Sequence, residues 1–303
     1  MRSILSAVLL ATALLGSAHA DGDSLQDLLG PREVALGEAM RAEATGASAI
    51  GMNPAGLPLN RELVFEGGYG YRGSDQASLL GVSACDSTNL APGCFFYDYA
   101  GSNPSSELGS SAPLHRTSHI GGLALAHMLT PRVLVGSTIK YFHYASDVMG
   151  ESGASGLNWD LGATIRASEM INLGVAGYNL WGTESVEMPR AAGGGVTIKP
   201  LPILTLSYDM RWKLGTDQHG ARYGGGAELF LRNASGQSGF PVRVGALRDN
   251  GLDKTYVSAG LGITTMSMGI DVGARKAIKG GDETLVIASI RLFGPRLPAP
   301  GVE

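Results

Sequence analysis

Past residue 20 the sequence has no apolar run long enough to cross a bilayer as a helix, which excludes a helical membrane protein. Charge is scarce and nearly balanced, with 23 Lys and Arg against 27 Asp and Glu and a net charge of −4. No basic stripe is present to neutralise phosphates, so nucleic acid is excluded as a partner. Cysteine is limited to Cys85 and Cys94. No further ligand-type residues stand at metal spacing beside them, so no metal site is expected. In an exported chain the pair reads instead as one disulfide across the turn-rich segment 86–93. Catalytic signatures are missing as well: there is no HExxH and no GxSxG. His115 and His119 would stand roughly 13 Å apart along a strand, too far to share a metal. The run Gly68-Tyr69-Gly70-Tyr71-Arg72-Gly73 has dinucleotide-type spacing but lies inside an alternating segment, not between a strand and a helix. Neither an enzyme nor a bound cofactor is expected.

Glycine, by contrast, is abundant: 45 of 303 residues, about twice the usual ~7%. With no collagen period, that level points to strands crowded by close neighbours. Residues 1–20 have a cationic start, an apolar stretch and Ala18-His19-Ala20, the layout of a cleaved signal peptide. After Pro58 the chain alternates in polarity through segments of about ten residues. In "ILTLSYDMRWKL" Leu204, Leu206, Tyr208, Met210 and Trp212 share one face, opposite Thr205, Ser207, Asp209, Arg211 and Lys213. "LNWDLGATIR" and "MSMGIDVGAR" repeat the pattern.

A soluble sandwich and a transmembrane barrel both alternate in this way. Three features select the barrel. Segment length suits a tilted bilayer crossing, connections alternate between short and long, and aromatics recur near segment ends (Tyr69, Tyr71, Tyr141, Tyr144, Trp159, Tyr178, Trp181, Trp212, Phe293). Thirteen segments are plain. Even parity then requires one more, for which "CFFYDYA" (Cys94 to Ala100) is the candidate. The expected fold is all-β: a transmembrane antiparallel β-barrel of about 14 strands over residues 61–294. Residues 21–60 precede it and 295–303 form a tail. The polar strand face carries Glu66, Arg72, Lys140, Asp160, Arg166, Asp209, Arg211, Glu228, Arg243, Asp271 and Arg275, with both signs interspersed. They read as lumen-lining charges, either paired with one another and with a plug or forming a polar track for a permeant.

Between the signal peptide and the barrel lies "GEAMRAEATGASAIGMNPAGLP", residues 37–58. Leu36, Met40 and Ala44 recur at helical spacing, and Asn53-Pro54-Ala55-Gly56 stops the helix. On pattern alone this segment is equally a loop leading into the first strand or a plug. It resembles, however, the N-terminal signature of FadL-type outer-membrane proteins: a glycine-alanine helix, a small-residue stretch and NPAG just before the first strand. That superfamily includes transporters of long-chain fatty acids and aromatic hydrocarbons, and PorV-like proteins of some secretion systems. The resemblance implies a fourteen-stranded barrel with residues 21–60 folded into the lumen as a hatch, held and gated by Leu36, Met40, Asn53, Pro54, Ala55 and Gly56. It implies a monomer in outer-membrane lipid that passes a small hydrophobic ligand, fatty acid-like or aromatic. The alternative within the same superfamily is a PorV-like scaffold that docks envelope protein complexes through segment 101–113. The chain departs from the fatty acid transporters in being short and lacking a long apolar loop.

Overall fold

The computed structural model describes residues 30–106, 108–185, 187–214, 220–233 and 238–297. Residues 1–20, the expected signal peptide, and residues 21–29 and 298–303 lie outside the described residues. Fourteen strands follow one another: β1 (Arg61–Arg72), β2 (Ala77–Asp86), β3 (Gly93–Ser102), β4 (Arg116–Thr130), β5 (Val133–Ser146), β6 (Ala154–Arg166), β7 (Ile171–Gly182), β8 (Ala191–Leu201), β9 (Leu204–Lys213), β10 (Ala221–Arg232), β11 (Gly239–Asp249), β12 (Lys254–Thr264), β13 (Met268–Lys279) and β14 (Thr284–Leu297). Each pairs antiparallel with its sequence neighbours, and β1 pairs with β14 to close the barrel. The segment "CFFYDYA" is therefore a strand, β3, and it completes the even count.

The burial pattern assigns the solvent on each face. Along β6, Leu157, Trp159, Leu161 and Ile165 are exposed on the outside, while Asn158, Asp160 and Thr164 are buried inside. A soluble sandwich would bury the first set. Here the apolar face is external and the polar face lines the lumen, as a transmembrane barrel requires. Turns at the chain-terminus end are short, such as 131–132 and 202–203, whereas the other end carries 103–115, 147–153 and 183–190. Cys85 and Cys94 stand opposite each other on β2 and β3, bonded as a disulfide.

Not every aromatic near a strand end joins the outer belt. Tyr69, Tyr71, Tyr141, Trp159, Trp181 and Trp212 face outward. Tyr144 and Tyr178 are buried inside, and Phe293 packs against the interior cluster. Tyr178 shares the inward face of Asn172, Gly174 and Ala176, so alternation along β7, not nearness to a strand end, decides its side. Next to it, between the pairs Trp159–Trp181 and Leu161–Gly177, Asp160 of β6 faces three residues of β7 in a bulge. It is held by the Asn179 N–H, which donates to Asp160 Oδ1 at 2.7 Å with Asn179 at φ 52°.

The N-terminal segment lies within the barrel as two short helices, α1 (Pro31–Ala35) and α2 (Ala47–Met52), followed by a 3₁₀ turn, Pro54–Leu59. Leu36, Met40 and Ala44 are all buried, but not on one helix face, which corrects the expected helix over that stretch. Gly37 and Glu38 both take positive φ, 62° and 63°, and break the helix after Ala35. Groups of the barrel wall then take over its backbone bonds. Ser258 Oγ donates to Ala35 O at 3.1 Å, and the Arg41 N–H donates to Asp209 Oδ2 at 2.8 Å.

The long-loop end is fastened by Glu151, in segment 147–153. Its carboxylate accepts from Arg116, from the Tyr144 hydroxyl at 2.7 Å and from Ser146 Oγ at 2.5 Å. Burial opposes ionisation here, but the Arg116, Ser146 and Tyr144 donors outweigh it and hold the Glu151 pKa below its ordinary 4.5. A lowered carboxylate contributes stability above its ordinary value and loses it as pH falls through the lower folded one. Acidification below about pH 4 should therefore raise protease cleavage within 147–153. In Glu151→Gln, cleavage should be raised already at pH 7 and change little on acidification.

Candidate functional site: the hatch in the lumen

The hatch lies flush on the wall because the wall has glycine where the hatch backbone passes. A Cβ at Gly136 of β5 would come within 2.5 Å of Pro54 C and Ala55 N. One at Gly245 of β11 would reach Gly37 N at 2.5 Å, and one at Gly226 of β10 would reach Leu36 O at 2.6 Å. Gly174 and Gly224 would overlap the carbonyls of Arg41 and Gly37 outright. Part of the glycine excess is thus a belt of missing side chains matched to the path of the hatch.

Two polar anchors fix the hatch on that belt. Asn53 is fully buried and extended at φ −165°, where Pro54 ends α2. Its Nδ2 donates to Arg41 O at 2.8 Å, Ala163 O at 3.1 Å and Thr164 Oγ1 at 3.0 Å, and its Oδ1 accepts from the Ala55 N–H at 3.1 Å. One side chain thereby joins two hatch strands of the chain to β6. Arg41, 2% exposed, forms the second anchor. Its Nη1 pairs with Asp209 Oδ2 at 3.0 Å and its Nε donates to Tyr178 Oη at 2.7 Å. That hydroxyl donates in turn to Met52 O at 2.5 Å. Pro54, Ala55 and Gly56 begin the 3₁₀ turn, and a Cβ at Gly56 would collide with Ala44 O.

The charges on the polar strand face divide by location. Asp209 and Arg275 meet the hatch; Arg275 pairs with Glu38 at 3.0 Å and Glu283 at 2.9 Å. Glu228, Arg243, Asp271 and Arg291 form a ladder near the chain-terminus end: Arg243 reaches Glu228 and Asp271 at 2.6 Å each, and Arg291 reaches Asp271 at 2.5 Å. Lys140 pairs with Asp160 at 2.7 Å, and Arg72 with Asp75 at 2.8 Å in the β1–β2 hairpin. Arg211 stacks over the Tyr178 ring at 4.9 Å. Arg166 lies at the end of β6, donating to Pro131 O at 3.2 Å. Glu66 borders a cavity. His119 turns outward beside Tyr97, away from any such cluster.

Sequence reasoning missed Arg41, Glu38, Tyr178 and Thr164 as anchors. Arg41 and Glu38 are charges in an otherwise small-residue segment, and that contrast was the available signal. Tyr178 was read as an outer-belt aromatic because it lies near a strand end, although its alternation with Gly174 and Ala176 pointed inward. Thr164 had no signal beyond its polar-face position.

The hatch separates two cavities, and no described residue borders both. One, of about 160 Å³, is lined by Ile50, Met52, Leu79, Phe96, Ile120, Met188 and Ile287 together with Glu33, Glu66 and Asp98. The other, of about 340 Å³, opens at the chain-terminus end and is rimmed by Arg32, Arg61, Arg243, Arg291 and Arg296. Adjacent hatch residues thus face opposite compartments, Glu33 the first and Arg32 the second.

Fold and lumen define a transmembrane β-barrel with an inserted N-terminal hatch. Among solved structures, the CymD monoaromatic hydrocarbon channel has the same fold, with a TM-score of 0.67 at 12% identity over 88% of this chain and 97% of that one. The toluene transporter TodX of Pseudomonas putida matches with a TM-score of 0.61 at 10% identity, over 87% of this chain and 97% of that one. No family model and no curated protein sequence matches the chain.

Removing one partner of a buried ion pair strands the other charge, at a cost of roughly 3–5 kcal/mol. Arg41→Met should therefore unseat the hatch, seen as protease cleavage within 37–52, while the barrel keeps its heat-modifiable gel mobility. Gly224→Ala should give the same result by steric overlap. Protection of both variants at the wild-type level would show that these contacts do not hold the hatch.

Proposed function

We propose that this chain is an outer-membrane channel through which small hydrophobic molecules diffuse inward, with the hatch as its gate. The observation that carries this reading is the pair of cavities with hatch residues in the lining of each and no described residue in both. The first is the size of known cavities that hold one benzene ring, about 150 Å³, and Ile50, Met52, Leu79, Phe96, Ile120, Met188 and Ile287 give it an apolar lining. A ligand entering it gains about 0.8 kcal/mol per buried CH₂. The expected signal peptide, the external apolar face and the likeness in fold to a hydrocarbon channel and a toluene transporter support the same reading. The wall beside the cavity is hydrogen-bonded in continuous register from β1 to β4, so a sideways path would require strands to part. Passage toward the chain-terminus end requires the hatch to move about Asn53-Pro54. The PorV-like scaffold reading is not favoured. Its docking segment is tied down at both ends, Ser105 Oγ accepting from the Leu114 N–H at 2.7 Å and the Asn103 N–H donating to Asp75 O of the β1–β2 hairpin at 2.8 Å.

The test locks the hatch. Asn53 and Thr164 side chains meet at 3.0 Å, so Asn53→Cys with Thr164→Cys allows a hatch-to-wall disulfide. Toluene uptake into cells carrying the oxidised pair should fall to a small fraction of wild type and recover on reduction. Wild type carried through the same reduction controls for Cys85 and Cys94. Full uptake with the disulfide formed would overturn the gating role.

A further inference from the structure

From the arginine-rimmed mouth we infer that a small oxyanion, a phosphate or carboxylate group, binds there between hatch and wall and holds the hatch seated. The inference does not depend on what the channel passes. Five arginines border the cavity of about 340 Å³ at the chain-terminus end: Arg32 on α1, Arg61 on β1, Arg243 on β11, and Arg291 and Arg296 on β14. Two carboxylates border it with them, Glu62 and Glu228, and both are engaged. Glu62 accepts from Arg296 Nε at 3.0 Å and Glu228 from Arg243 Nε at 2.6 Å. Asp271, behind the rim, is shared by Arg243 and Arg291. Among the described residues, Arg32 and Arg61 are left with no carboxylate within 4 Å.

A second observation is the hydrogen bonding of these groups. Each guanidinium carries several N–H donors and no acceptor. Arg32 uses one, in a long bond of 3.5 Å from Nη1 to Thr45 Oγ1, and Arg61 uses one, from Nη2 to Thr88 O at 2.9 Å. The Nε–H groups of Arg32 and Arg291 are buried without a partner. Buried donors are ordinarily satisfied, and donors short of acceptors that converge on a cavity mark where a ligand's oxygens belong. A neutral donor stands beside them: Asn60 Nδ2 reaches the same Thr45 hydroxyl as Arg32, also at 3.5 Å.

The placement of the arginines ties occupancy to the hatch. Arg32 is carried by α1, whereas the other four belong to the wall. The carboxylates whose field acts most on Arg32, Glu228 and Asp271, are those that Arg243 and Arg291 already engage; Glu33 and Glu66 act on it less, and border the other cavity. Like charges therefore face one another across the boundary between hatch and wall, which is unfavourable. An oxyanion that accepts from Arg32 and from a wall arginine turns this repulsion into a bridge. The fork of a guanidinium suits two oxygens of one carboxylate or phosphate, which a halide does not offer. Such a ligand binds the seated hatch better than the displaced one, and so favours the seated state.

The test uses the purified full-length barrel in detergent at pH 7, with inorganic phosphate and acetate as separate probes and sodium chloride at matched ionic strength as reference. Calorimetry should detect a site for at least one oxyanion, and the tighter of the two tells a phosphate site from a carboxylate site. At ten times the dissociation constant, protease cleavage within 37–52 should slow about ten-fold, with no such slowing in chloride. Arg32→Gln and Arg61→Gln should each weaken binding at least about ten-fold, the loss of one charge-assisted hydrogen bond, and remove the protection. Binding that both variants retain would mean an adventitious ion only and overturn the inference. So would no binding beyond that of chloride, or oxyanion binding with cleavage still at the chloride rate. The wild-type comparison with chloride decides the matter even if a variant fails to assemble.

Discussion

Backbone groups removed from water must find partners, and residues 37–46 of the hatch cross the lumen with no helix to supply them. The rest of the lumen is arranged around that requirement. Ser258, Asp209 and Asn53 each bond to a backbone atom of the hatch. The wall glycines let that backbone come close enough for the bonds to form. Asn53 is the most economical part of the arrangement, since a single amide serves two hatch segments and one strand. Buried ion pairs such as Arg41–Asp209 add little net stability compared with apolar packing, but they tolerate only one position of the hatch.

Much of the fold was legible in the sequence because a barrel writes its two faces into alternate residues. Asp160, Asp209 and Asp271 point inward, with Leu161, Tyr208 and Val272 beside them pointing out. Nearness to a strand end was the poorer guide: it placed Tyr178 in the outer belt, although alternation with Asn172, Gly174 and Ala176 turns that side chain into the lumen. Alternation was blind to the hatch. Leu36, Met40 and Ala44 keep helical spacing and share one buried cluster, yet Gly37 and Glu38 turn the chain the other way. The outcome there depends on donors and acceptors more than a hundred residues distant, which local patterning does not contain. For the same reason the polar-face charges could be placed in the lumen but not paired: Arg275 finds its partner on the hatch, and Arg243 finds one of its partners two strands away.

Division of the lumen into an acid-bordered apolar chamber and an arginine-rimmed mouth also follows from the hatch. Glu33 and Arg32 are adjacent in sequence, and α1 directs them to opposite sides. Any displacement of α1 moves both charges at once, so the electrostatic character of the two compartments changes together with the opening between them.

Glycine in a strand weakens it, because it adds backbone freedom and contributes no side chain to the neighbouring contacts. The glycine belt therefore makes the barrel wall most compliant at the height where the hatch leans on it. Wall and hatch brace one another: with the hatch seated, strands β10 to β13 have its backbone in place of their missing side chains. With the hatch withdrawn, the same strands would line a wider and softer section of the lumen, so that displacing the hatch would also loosen the wall.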